Sequence, residues 1–246
     1  MSAGGGAATS VDSGPATPTD SGDSWAGALV DELNRPLSAR FCLFGWCAAT
    51  ALFLGLVALF GGPSAVDSNE TVYPTWAIAH GQAACAYPAV NRLSEAPAAP
   101  LYPLVSGGIA ALARIGDAVR FPSTAALGPG CDKSYIALSA WSADANALTA
   151  TIWIGSAMWL ALMVGVIAWL RAAGRGRTGW EPVTLLFLAA FVPVWECVVE
   201  FFHPQDLLAL GLALVAAACA ARGRWTAAGV LCALALLSQQ FALLVA

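Results

Sequence analysis

FCLFGWCAATALFLGLVALF, residues 41–60, decides the fold class. Arg40 stands before it and Gly61-Gly62-Pro63 follows, but nothing charged interrupts it. A bilayer core needs roughly 20 apolar residues per helix, so this stretch reads as a membrane span. Four more stretches of the same kind follow at 146–170, 183–202, 207–221 and 225–246. Glu196 and Glu200 interrupt the third, and Arg222 closes the fourth. The whole chain agrees with its spans. Apolar residues make up 59% of it and charged residues 11%, against about 25% charged in soluble proteins. Ten Trp and ten Phe against 11 Lys and Arg cannot be covered by a polar shell. The expectation is an all-α polytopic membrane protein of five transmembrane helices, occupying residues 35–246. A net charge of −4 argues against nucleic acid as a partner.

Residues 1–34 are rich in Gly, Ala, Ser, Thr, Pro and Asp and show no apolar periodicity. Such a segment cannot bury enough surface to offset the entropy of ordering, so it reads as a disordered tail. It lacks the charged start and early apolar run of a signal peptide. Leu101–Ile115 is short for a span and holds Gly107 and Gly108. It reads either as an extra crossing or as an interfacial or re-entrant helix. Charge placement favours the second. With that segment not crossing, Arg35, Arg40, Arg171, Arg175, Arg177, Arg222 and Arg224 share one side, seven of the 11 basic residues. The loop at 61–145 keeps Arg92, Arg114, Arg120 and Lys133 over many more residues. That is a positive-inside pattern. It places the N-terminus in the cytoplasm, and the long loop and the C-terminus outside the plasma membrane. Cys42, Cys47, Cys197, Cys219 and Cys232 fall in or beside spans, where Cys behaves as a small apolar residue. Cys85 and Cys131 fall in the external loop and are expected to pair, since that side is oxidising.

Ionisable groups inside spans are expensive and mark sites. Glu196, Glu200 and His203 are spaced four and three apart, one stripe if the helix is continuous. Pro204 pushes His203 away from helical geometry. Asp206 follows in the external turn, and Gln239 and Gln240 lie in the outer half of the last span. Nearly all of this polarity falls towards one face. No soluble-enzyme constellation accompanies it. Seven Cys give no CxxC and two His give no zinc spacing. The glycines at 174, 176 and 179 are followed by no Gly-Lys-Ser/Thr, so that run is a basic connector and not a phosphate loop. An acidic pair is able to hold a divalent cation, but no ligand set is visible, so no cofactor is expected.

Just after the first span the chain reads Asp67-Ser-Asn-Glu-Thr-Val-Tyr73-Pro-Thr-Trp76-Ala-Ile-Ala-His80-Gly81, then Ala86-Tyr87-Pro88. This resembles the first external loop of the GT-C glycosyltransferases, polytopic enzymes that use polyprenyl-phosphate sugars as donors. Ala98-Ala-Pro100-Leu-Tyr102-Pro-Leu104 resembles the family's entry into its juxtamembrane helix. His203-Pro-Gln-Asp206, Gly223-Arg-Trp-Thr-Ala-Ala-Gly229 and Leu236-Leu-Ser-Gln-Gln resemble turns and a polar break of the bacterial mannosyltransferase-like members. Asn69-Glu70 stands where the family has an acidic pair, and Gln239 or Gln240 where many relatives have Lys.

The resemblance implies sugar transfer from a polyprenyl-phosphate donor to a cell-envelope acceptor at the outer face. Asp67 is then the first choice of catalytic base and Glu70 the second. Tyr73, His80, Arg92, Glu196, His203, Asp206 and Gln239 bind substrate. Family members have more than five spans, so the chain reads as the N-terminal portion of a longer enzyme. The alternatives are a non-catalytic relative that binds lipid-linked glycan or scaffolds an envelope complex, and a transporter. A transporter would carry its polar residues near the bilayer midplane.

Overall fold

The computed structural model describes residues 25–60, 75, 77–79, 81, 83–85, 99–115, 145–199 and 203–239. Among them there is no strand, only an isolated bridge between Pro36 and Thr178. The α-helices are α1 (Trp25–Asn34), α2 (Ala39–Phe60), α3 (Leu101–Ile115), α4 (Ala145–Ala172), α5 (Trp180–Ala190), α6 (Val192–Val199), α7 (Pro204–Ala221) and α8 (Trp225–Ser238). A 3-10 turn occupies Ala83–Cys85.

Three helices are long and apolar enough to cross a membrane: Ala39–Phe60, Trp153–Ala172 and Pro204–Ala221. The α5–α6 pair makes a fourth if it is one span, broken by a 50° bend. Leu101–Leu112 and Trp225–Ser238 are apolar but shorter. The all-α polytopic reading therefore holds, with three or four crossings by length among the described residues.

Two expectations need correction. The stretch 183–202 was read as one apolar run. It starts earlier, at Trp180, and breaks at Phe191, whose backbone is extended at φ −70° and ψ 115°. Pro193 explains the break. It has no N–H to bond the carbonyl four residues back, and its ring crowds that carbonyl. Residues 1–34 have the composition of a disordered tail, yet the last ten of them form α1. Local composition is overridden by docking. Trp180 Nε1 donates to Asn34 Oδ1 at 3.0 Å, Leu37 N–H donates to the Arg177 carbonyl at 2.7 Å, and Leu33 lies against Gly179.

The core forms where α2, α4 and the α5–α6 pair meet. Phe53 stacks on Trp159 with ring centroids 4.7 Å apart, and both are fully buried. Trp159 Nε1 donates to Thr50 Oγ1 at 3.2 Å, so the buried indole keeps a partner. Phe60 stacks on Trp195 at 5.0 Å and ties the far end of α2 to α6. Large apolar side chains such as Phe44, Leu59, Phe187 and Val230 remain exposed, as they would be on helices whose solvent is lipid.

Helix α7 runs along α4 on one side and α8 on the other. Its crossing with α4 is backbone against backbone. A Cβ added at Gly165 would sit 2.5 Å from the Gly211 carbonyl oxygen, and one at Gly211 would sit 2.5 Å from the Ala161 carbonyl oxygen. In lipid, close packing of small residues replaces the hydrophobic drive between helices. Helix α3 packs on α4 and α8. Its Ser106 hydroxyl lies 2.6 Å from that of buried Thr75, and Tyr102 is fully buried beside them. Gly107 lets Ile78 approach, since a Cβ there would meet Ile78 Cγ2 at 2.6 Å.

Candidate functional site

A connected group of polar side chains lies where α7 begins and α8 ends. Pro204 opens α7 and carries no N–H to leave unsatisfied, as suits a first helical residue. His203 therefore becomes the N-cap, with a non-helical backbone of φ −107° and ψ 49°. Its N–H donates to the Cys197 carbonyl, which closes the chain back onto α6. The expected stripe of Glu196, Glu200 and His203 runs through residues 200–202, which lie outside the described residues. The described part of α6 ends at Val199, and His203 belongs to the next element.

Asp206 sits in the first turn of α7, where the helix dipole favours a carboxylate. Gln239, just past α8, donates from Nε2 to Asp206 Oδ1 at 2.9 Å. The bond joins residues 33 positions apart and fixes the mouth between the two helices. The His203 ring lies within electrostatic reach of the Asp206 carboxylate. Gln205 Nε2 is 3.2 Å from His203 Nδ1, and with that nitrogen unprotonated the amide donates to it. Gln205 is buried, and its Oε1 has no hydrogen-bond partner among the described residues. Buried Ser238 donates to the Leu234 carbonyl at 3.0 Å, below Gln239.

Of the expected site residues, the structure brings together His203, Asp206 and Gln239. Glu196 lies half-buried on α6 and makes no hydrogen bond or ion pair among the described residues. Asp67, Glu70, Tyr73, His80, Arg92 and Cys131 lie outside the described residues. Cys85 is disulfide-bonded, and the other described cysteines are free thiols. No cluster of three metal-ligating side chains occurs among the described residues. Sequence reasoning overlooked Gln205. Its position between His203 and Asp206, in the same first turn of α7, was the available signal.

Chemically, the mouth offers one carboxylate, one imidazole and two primary amides. Those are hydrogen-bond donors and acceptors of the kind that hold sugar hydroxyls or a similar polyol. A buried amide oxygen without a partner among the described residues in particular leaves an acceptor for a further donor. No known protein family, curated protein or solved structure matches the chain.

Proposed function

We propose that the chain is a GT-C-type membrane glycosyltransferase, or the part of one that holds its donor and acceptor. It moves a sugar from a polyprenyl-phosphate donor to a cell-envelope acceptor at the outer face of the plasma membrane. The observation that carries this reading is the Gln239–Asp206 hydrogen bond. It joins the His203-to-Asp206 turn to the polar break after α8, two segments on which the family resemblance rests. It does so at the end of α7 remote from the arginines. Five spans with a large external loop, and α3 lying at the interface, complete the proposed topology.

In this reading a carboxylate of the first external loop, Asp67 before Glu70, takes the proton of an acceptor hydroxyl. The hydroxyl oxygen bonds to the anomeric carbon as the bond from that carbon to the phosphate oxygen breaks. The lipid phosphate leaves with the electron pair, and Arg92 or Lys133 meets its charge. His203, Asp206 and Gln239 hold sugar or acceptor hydroxyls, with Glu196, Tyr73 and His80 contributing to the same pocket.

Membranes carrying the chain, incubated with radiolabelled polyprenyl-phosphate mannose or glucose, test the reading. We expect label in an envelope acceptor, at least about 100-fold less of it with Asp67→Ala or Glu70→Ala, and a raised KM with Asp206→Asn. Donor binding without transfer would make the chain a non-catalytic relative. Full transfer by both carboxylate variants would remove the proposed base.

A further inference from the structure

The opposite end of the bundle holds a second built feature, unrelated to the carboxylate mouth. Arg171 closes α4, and the connector to α5 folds back over it. Gly176 makes this possible, because a Cβ there would lie 2.3 Å from Arg171 Cγ. Glu181, in the first turn of α5, has a side chain with no solvent exposure. Its Oε1 accepts from Arg171 Nε at 3.0 Å and from the Arg177 backbone N–H at 3.1 Å. The Arg171 guanidinium also lies 5.7 Å from the centre of the Trp46 ring. One arginine is thus held by its Nε and its face, and its terminal nitrogens have no acceptor among the described residues.

Arg177 is set differently. Its backbone has φ 56°, the left-handed region that a side chain rarely adopts. The hydrogen bonds of its own N–H to Glu181 and of its carbonyl to Leu37 hold it there. Its guanidinium makes no ion pair among the described residues. Arg171, Gly174, Gly176 and Arg177 line an open cavity of about 340 Å³. Two arginines line it against one neighbouring carboxylate among the described residues, Glu181, whose Oε1 is spent on orienting Arg171, so its surroundings are net positive.

Orientation of a membrane protein by positive charge needs only that arginines lie on one side. It needs neither a buried carboxylate to aim one of them nor a strained backbone to present another. Strain that the surroundings over-determine points to a site. Paired guanidinium groups match the oxygens of a tetrahedral oxyanion, and basic pockets at helix ends take lipid head groups. The adjoining α1 exposes Trp25, Leu29 and Val30, an apolar face suited to the interface beside a head group. We propose that this cavity binds a phosphate group, supplied by an anionic lipid head group or by a free phosphate.

The test uses the purified full chain in neutral detergent. Native mass spectrometry compares retention of phosphatidylglycerol with that of phosphatidylcholine. Thermal unfolding measures stabilisation by inorganic phosphate. Selective retention of the anionic lipid assigns the site to a head group. Stabilisation by phosphate without lipid selectivity assigns it to a free anion. In either case Arg177→Asn should weaken binding at least about tenfold, because the charge goes while Asn tolerates the left-handed backbone. Arg177→Gly, which suits that backbone better still, should do the same with an unchanged or higher Tm. Arg175 stacks on Trp180 at 4.8 Å and does not line the cavity, so Arg175→Gln should leave binding unchanged. Undiminished binding by both Arg177 variants, or no preference for either anion over neutral lipid, overturns the proposal.

Discussion

Glu181 shows what a single residue does where the chain reverses between two apolar helices. Its carboxylate is buried, and the Arg171 guanidinium, whose side chain is 39% exposed, is its partner. Removing one member of a buried pair leaves an uncompensated charge and costs about 3–5 kcal/mol. Partial exposure of Arg171 lets water reach the site, so we expect Arg171→Met to cost nearer about 2 kcal/mol. Adding Glu181→Leu to Arg171→Met should recover most of that loss, because no charge is then left buried. Denaturant titration of the two variants in detergent measures both. Tyr102 gives a second prediction at this scale. Burial holds its phenol well above the ordinary tyrosine range. Below pH about 10 the phenol is neutral in both the folded and unfolded states. Above that pH only the unfolded state ionises, so stability should fall as pH climbs through about 10. Stability measured across that range should lose this component in Tyr102→Phe.

Helices were the legible part of the sequence, and their junctions were not. The run at 41–60 needed no context, because an uncharged stretch of bilayer length has few other uses. The bend at Phe191 was also written in the chain, as Pro193, but apolar content masked it. The ordering of Trp25–Asn34 was not readable, since it depends on Trp180 and Thr178, more than a hundred positions away. The same holds for the site. The sequence offered His203, Asp206 and Gln239 as separate polar residues, and only packing of α7 on α8 pairs two of them. Crossings are the sharpest case. Nothing local tells Gly165 from Gly108, yet the first touches a neighbouring backbone and the second faces open space. We expect Gly211→Val to force α4 and α7 apart at a cost above about 2 kcal/mol. Gly108→Val should leave stability unchanged or raise it by under about 1 kcal/mol, because valine is the better helix former and the space is open. Thermal unfolding of the two variants checks the contrast.

Across the whole molecule the two polar features sit at opposite ends of the helix bundle. Asp206 and Arg222 bracket α7 and lie about 24 Å apart at 1.5 Å per residue. At the arginine end, Arg222 caps α7 and reaches the Ala168 carbonyl of α4 at 3.5 Å. Scarcity of charge makes this polarity informative, since few groups have to be assigned to a side. If the arginine end is cytoplasmic, as the positive-inside pattern implies, a reporter fused at Gly128 should be active only outside the membrane. A cytoplasmic signal there would reverse the proposed topology and move the Asp206 mouth to the inner face.

The contact of Gly211 with Gly165 and Ala161 also bears on descent. Most positions of α4 and α7 can exchange Ala, Leu, Val and Ile under lipid with little penalty, so these helices are free to drift. The crossing is not, because no side chain fits between the two backbones. A lineage carrying this fold should therefore keep glycine at both places, while neighbouring residues lose all likeness. Two small residues set into otherwise unrelated apolar helices would be the trace by which distant kin are recognised.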